Sequence, residues 1–183
     1  NGLESYSLSF ASIISTNEFL FKTGGTVSVY RSPIPKDIDW ELTLVEVQYS
    51  EGWHIIGLPL NVLDPNYLTL FPNAIEGTLF SFNNNYIQTE ILEIGSGYWL
   101  RFSSNSNVEI SGNPNNEIVI NLTQGWNLIS GLHNSVQTSE IVDPGNIILE
   151  GTFYGFHNGG YEEAEELSPG KGYWVRSSST GSI

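Results

Sequence analysis

The chain has 183 residues, 20 of them acidic and 6 basic, for a net charge of −14. That field repels phosphate backbones and anionic lipid surfaces, which argues against nucleic-acid and membrane-surface binding. No apolar run approaches the roughly 20 residues that span a bilayer as a helix, so membrane insertion is not expected. Cysteine and methionine are both absent. A disulfide framework, a thiol nucleophile and a thiolate metal site are thereby excluded. The absent initiator methionine, with no signal peptide in view, is what a processed or trimmed mature chain would show. Few charged residues with many Asn, Ser, Gly and aromatics is the make-up of a turn-rich β protein.

Taken in chain order, the first candidate element is Ser5–Ile14. Tyr6, Leu8 and Phe10 alternate there with Ser5, Ser7 and Ser9, so an extended backbone presents one apolar face. Such a strand is suited to adding to a sheet edge of a neighbour. Thr26–Tyr30 and Trp40–Tyr49 read as a strand pair. These N-terminal strands make up residues 1–50.

The organising feature is an internal repeat. Gly52-Trp53-His54-Ile55-Ile56-Gly57 answers to Gly125-Trp126-Asn127-Leu128-Ile129-Ser130. Glu76–Phe82 answers to Glu150–Phe156, Tyr86 to Tyr161, and Gly95–Arg101 to Gly170–Arg176. The offset drifts only from 73 to 75 residues across these blocks. Each copy reads as four strands: the Gly-Trp strand, Thr78–Phe82 or Thr152–Phe156, a strand from the Tyr, and the Tyr-Trp-Leu/Val-Arg strand. Asn83-Asn84-Asn85 and Asn158-Gly159-Gly160 supply residues that tolerate the positive φ of hairpin turns. Short helical turns are expected within Leu58–Leu70 and Ser135–Val142. Val108–Gly112 and Glu117–Leu122 read as a linking hairpin around Asn113–Asn116. Repeat 1 thus occupies 51–106, and the linking hairpin with repeat 2 occupies 107–183. The expected fold class is all-β, two tandem strand-rich repeats forming β-sandwich or barrel-like units.

The blocks Gly125–Ser130 and Leu167–Val175, with Leu70–Ile75 and Arg101–Ser104 in the first copy, carry a family resemblance. They resemble a GWNLIS…PGKGYW repeat module of secreted or surface multidomain proteins of Bacteroidetes- and Ignavibacteria-type bacteria, many of them type IX secretion substrates. The resemblance spans about Gly52 to Ser178. It implies an extracellular or cell-surface location and carries over no catalytic residue.

His54, His133 and His157 have no metal-binding spacing and read as solvent-facing loop residues. Glu162–Glu166 is an acid run, but neighbours on a strand face opposite ways, and the first copy has Ile87-Gln88-Thr89-Glu90-Ile91 there. It reads as decoration of an exposed strand that resists edge pairing. No cofactor is expected. Calcium is the one candidate ion, through Asp37 and Asp39 or the Asp64 and Asp143 loops. Asn121-Leu122-Thr123 formally matches a glycosylation acceptor and reads as incidental.

The recurring aromatics remain: Trp53, Tyr98 and Trp99 in the first copy, Trp126, Tyr173 and Trp174 in the second. Large aromatics recurring in a repeat read first as core. Trp53 and Trp126 are expected in equivalent, largely buried places. The competing reading is a platform for sugar rings. Two functions follow, neither enzymatic. One is an extracellular structural or adhesive surface module, with self-association or other surface proteins as partners and a fibre assembled by strand addition as its extended form. The alternative is an accessory carbohydrate-binding module of a secreted polysaccharide-acting protein, with glycans as partners.

Overall fold

The structure is a computed structural model that describes residues 18–23, 26–31 and 42–183. The segment Ser5–Ile14, with Tyr6, Leu8 and Phe10, lies outside the described residues, as do Asp37 and Asp39. The chain divides into two compact units, 1–40 and 41–183. The boundary falls ten residues before the one expected at 50, because Thr43–Tyr49 belongs with the second unit.

In the first unit β1 (Glu18–Thr23) pairs antiparallel with β2 (Thr26–Arg31). The expected pairing of Thr26–Tyr30 with Trp40–Tyr49 is therefore corrected. A strand two residues away closes a hairpin at a smaller loop entropy than a distant one.

The second unit is all-β with several antiparallel sheets, and among the described residues none closes into a barrel. Its strands are β3 (Thr43–Tyr49), β4 (Gly52–Gly57), β5 (Leu60–Asn61), β6 (Phe80–Asn83), β7 (Asn85–Gln88), β8 (Gly97–Phe102) and β9 (Ser106–Pro114). They continue as β10 (Asn121–Leu122), β11 (Gly125–Ser130), β12 (Val136–Gln137), β13 (Tyr154–His157), β14 (Gly160–Glu163), β15 (Glu166–Leu167), β16 (Gly172–Ser177) and β17 (Gly181–Ser182). One helical turn, α1 (Tyr67–Leu70), is capped by the Asn66 side chain, which accepts from Leu68 N–H. A 3-10 turn covers Thr138–Glu140.

Two four-stranded sheets have the same strand order: β4-β8-β6-β7 and β11-β16-β13-β14. Trp53 pairs with Arg101 and Ile56 with Tyr98 in one; Trp126 pairs with Arg176 and Ile129 with Tyr173 in the other. Asn84 and Asn158 sit at φ of 57° and 48° in the two hairpin turns, where an Asn tolerates the left-handed region.

The expected linking hairpin does not form. β9 pairs along β3, from Tyr49 opposite Ser106 to Thr43 opposite Gly112, and ends against β5. The apolar floor of β3 decides this: Val108 and Ile110 turn inward opposite Val47 and Val45, and all four are buried. Pairing β9 back on Glu117–Leu122 would forfeit that match.

Alternation also explains the Tyr-Trp pairs. Ile56, Tyr98, Leu100 and Phe102 face a core shared with β3 and β9. Ile129, Tyr173 and Val175 face a second core with Leu122, Ile147 and Leu167. The neighbouring residues Ile55, Leu128 and Trp174 point the other way and meet in a third cluster, with Phe82, Trp99, Tyr154 and Phe156 packed on it. Each Tyr thus goes to its own core and each Trp to the seam between the sheets. Backbone bonds cross that seam in matched pairs: Gly57 N–H donates to Gly170 O, and Ser130 N–H donates to Gly95 O, both at 3.0 Å.

Candidate functional site

The seam builds the site. Trp99 lies edge-on to Phe156 and Trp174 edge-on to Phe82, each with centroids 4.8 Å apart. Trp53 flanks Trp99 at 6.2 Å, and Trp126 flanks Trp174 at 6.3 Å. Phe82 meets Tyr86, and Phe156 meets Tyr161, both at 5.4 Å. Edge-to-face contacts at these spacings are favourable because ring edges are positive and faces negative.

Two clefts open on this array. One, of about 550 Å³, is lined by Phe82, Tyr86, Trp126, Tyr154, Tyr161 and Trp174. The other, of about 450 Å³, is lined by Trp53, Phe80, Tyr86, Trp99 and Phe156. Each cleft draws rings from both sheets, so neither sheet alone forms one. Trp53 and Trp126 are each 40 % exposed, and Tyr86 and Tyr161 each 56 %. The two tryptophans do occupy equivalent places, but they are not largely buried as the sequence suggested. They sit half-exposed at the rim, because β4 and β11 are the outer strands of their sheets.

Polar groups are few. The Tyr86 phenol is raised above its ordinary pKa by burial and by the nearby Tyr161 phenol. Trp99 Nε1 is buried without a hydrogen-bond partner. Arg176 lies over the Trp126 ring, 6.0 Å from its centroid.

Compared with protein-family models, curated proteins and solved structures, the chain matches none.

Of the other aromatics singled out, Tyr98 and Tyr173 are core. Each phenol accepts a backbone N–H, from Glu93 at 2.9 Å and Ser168 at 2.8 Å. Phe80, Phe82, Tyr86, Tyr154, Phe156 and Tyr161 complete the clefts and were not marked as site residues by sequence reasoning. Their signal was present, since Phe80-x-Phe82 and Tyr86 recur as Tyr154-x-Phe156 and Tyr161.

His54 is not a loop residue. It lies on β4, edge-on to Tyr49 and Phe102, and its Nε2 is 2.9 Å from Ser50 O. Burial lowers its pKa. Asn127 has the same task at the equivalent position, donating from Nδ2 to Thr123 O at 2.8 Å. His133 and His157 are in the second half, with His133 Nδ1 3.0 Å from Asn115 O.

The carboxylates considered for calcium are engaged by their own loops. Asp64 accepts from Asn66 N–H and the Thr69 hydroxyl. Asp143 accepts from the N–H groups of Ile147 and Ile148, bonds that hold it below the usual carboxylate range. Among the described residues no three His, Asp or Glu side chains converge as a metal site. Glu162 and Glu163 lie on the exposed edge strand β14.

Proposed function

We propose that this chain is an extracellular, non-catalytic adhesive module that holds neutral glycans in its paired aromatic clefts. The observation that carries the reading is the pair of half-exposed tryptophans, Trp53 and Trp126, each at the rim of a ring-lined cleft. A soluble protein normally buries such rings, and exposed clusters of them mark binding surfaces. A flat indole face complements the CH face of a pyranose ring, and the phenols of Tyr86, Tyr154 and Tyr161 supply hydrogen bonds at the edges. The net charge of −14 selects against acidic polysaccharides.

In this reading the chain is a tandem duplication. Its two four-stranded sheets pack as a sandwich about an approximate dyad, and the module belongs with the surface proteins that the Gly-Trp and Gly-x-Gly-Tyr-Trp blocks resemble. Identical strand orders, matched seam bonds and equal exposures at paired positions support the duplication. Two like clefts on one module favour a polymeric ligand, because engaging two sites multiplies affinity.

The test is a screen of neutral polysaccharides by affinity electrophoresis and calorimetry, with Trp53→Ala and Trp126→Ala as controls. Binding that falls at least tenfold in each variant, with the fold retained, supports the proposal. No binding to any neutral polysaccharide, or binding untouched by both substitutions, refutes it.

A further inference from the structure

Contacts across the seam are reciprocal. Gly57 answers to Ser130, Gly95 to Gly170 and Ser96 to Lys171 in the two halves. Where Ile56 bridges to Lys171, its counterpart Ile129 bridges to Ser96. Where Trp99 meets Phe156, its counterpart Trp174 meets Phe82, at the same 4.8 Å. The Gly57–Gly170 and Ser130–Gly95 backbone bonds obey the same rule. Paired contacts of this kind are what a two-fold axis produces. Gly57 and Ser130 meet each other, so the axis passes between them.

The clefts follow the same relation. Each ring lining the smaller cleft is the counterpart of a ring lining the larger. Trp126 belongs to the larger cleft alone and Trp53 to the smaller alone. One exchange of chemistry separates them. Tyr154 stands in the larger cleft where the smaller has Phe80, which adds a phenol hydroxyl to the larger. At about 550 and 450 Å³, each cleft is by itself the size of a complete small-ligand site.

Taking the clefts as glycan sites, as proposed above, we infer that each holds its own glycan chain, so that one protein molecule bridges two chains, and that Tyr154 makes the larger cleft the tighter. A glycan chain is directional, with a reducing and a non-reducing end. A straight chain that entered both clefts in equivalent places would have to cross the two-fold axis. Rotation about that axis reverses any line that crosses it at right angles. The chain would therefore meet the second set of rings backwards, and the pose that suits one cleft could not be repeated in the other. Two separate chains can each take the favoured direction. The Tyr154 hydroxyl offers a hydrogen bond that Phe80 cannot, worth about fivefold in affinity. On a polymer, losing either cleft removes one of two footholds, so the fall in binding there is one of avidity.

The experiment is calorimetry of the full chain with four neutral hexaoses: those of β-1,4-linked glucose, mannose and xylose, and of β-1,3-linked glucose. At least one should bind at two sugars per protein molecule, with affinities about fivefold apart. Trp53→Ala should leave the tighter site alone, and Trp126→Ala the weaker. Phe80→Tyr should bring the two affinities together. A soluble polymer of the same sugar should be gathered into aggregates by the parent, read by light scattering, and by neither tryptophan variant. One sugar per protein molecule overturns the inference while the glycan reading stands, and the parent alone decides this even where a variant does not fold. Polymer aggregation that survives in both tryptophan variants overturns it too. No binding to any of the four sugars overturns this inference and the glycan reading together.

Discussion

Gly57 and Ser130 occupy equivalent positions at the ends of the two Gly-Trp strands, and they meet across the seam. A Cβ built on Gly57 would lie 2.1 Å from Ser130 Cβ and 2.8 Å from its Oγ. Carbon atoms pack at about 3.5–4.0 Å, so only one of the two residues can carry a side chain. Ser130 fills the space, and Gly57 yields it. Making the two halves identical with Gly57→Ser should therefore force the sheets apart. Overpacking of this kind costs about 1–3 kcal/mol, and the upper end applies because the neighbours include the Lys171 backbone carbonyl at 3.0 Å. The swap Gly57→Ser with Ser130→Gly moves the side chain to the other sheet and should recover most of the loss. Ser130→Ala keeps the Cβ and removes a buried hydroxyl that has no hydrogen-bond partner, so it should be neutral or stabilising by up to about 1 kcal/mol. Urea denaturation followed by tryptophan fluorescence measures the three variants against the parent, since Trp99 and Trp174 report on the seam. The reasoning fails if Gly57→Ser matches the parent within about 0.5 kcal/mol, or if the swap is no better than the single change.

Three further outcomes are expected. Trp53→Ala and Trp126→Ala should each cost about 2 kcal/mol in a denaturant titration, below the ~3–5 kcal/mol of a fully buried tryptophan, because each residue is already 40 % exposed. Tyr98→Phe and Tyr173→Phe each strand a backbone N–H, that of Glu93 or Ser168, and each should lose about 1–2 kcal/mol by the same titration. Lys171 is held by burial at a pKa of about 8 while its ammonium donates to Gln48 O and lies over the Tyr49 ring. The unfolded chain binds that proton more tightly, so stability should rise as pH increases from about 8 towards 10. Lys171→Met should flatten that rise in thermal melts, and an unchanged slope would refute the assignment. Melts should stop below pH 10, since the Tyr49 phenol, raised by burial, contributes stability that is lost above that value.

The strands and their hairpins were legible because they depend on neighbours. Period-two alternation marks β9, and Asn84 and Asn158 mark turns whose φ the residue type tolerates. The recurrence of Gly-Trp and Gly-x-Gly-Tyr-Trp marked two sheets of one strand order. Partner choice was not legible. Val108–Gly112 alternates equally well for a hairpin with Glu117–Leu122 as for β3, and only the Val45 and Val47 floor selects the distant strand.

The same division holds for the site. From the sequence alone it followed that one ring of each Tyr-Trp pair faces its own core and the other faces away, since adjacent residues on a strand point oppositely. What lies on the far side was decided by tertiary structure. The second sheet comes to stand against the first, so Trp99 and Trp174 enter a seam and not solvent, while Trp53 and Trp126 on the outer strands stay half-open. Exposure depends on which surface arrives from elsewhere in the chain, and residue spacing holds no record of that arrival.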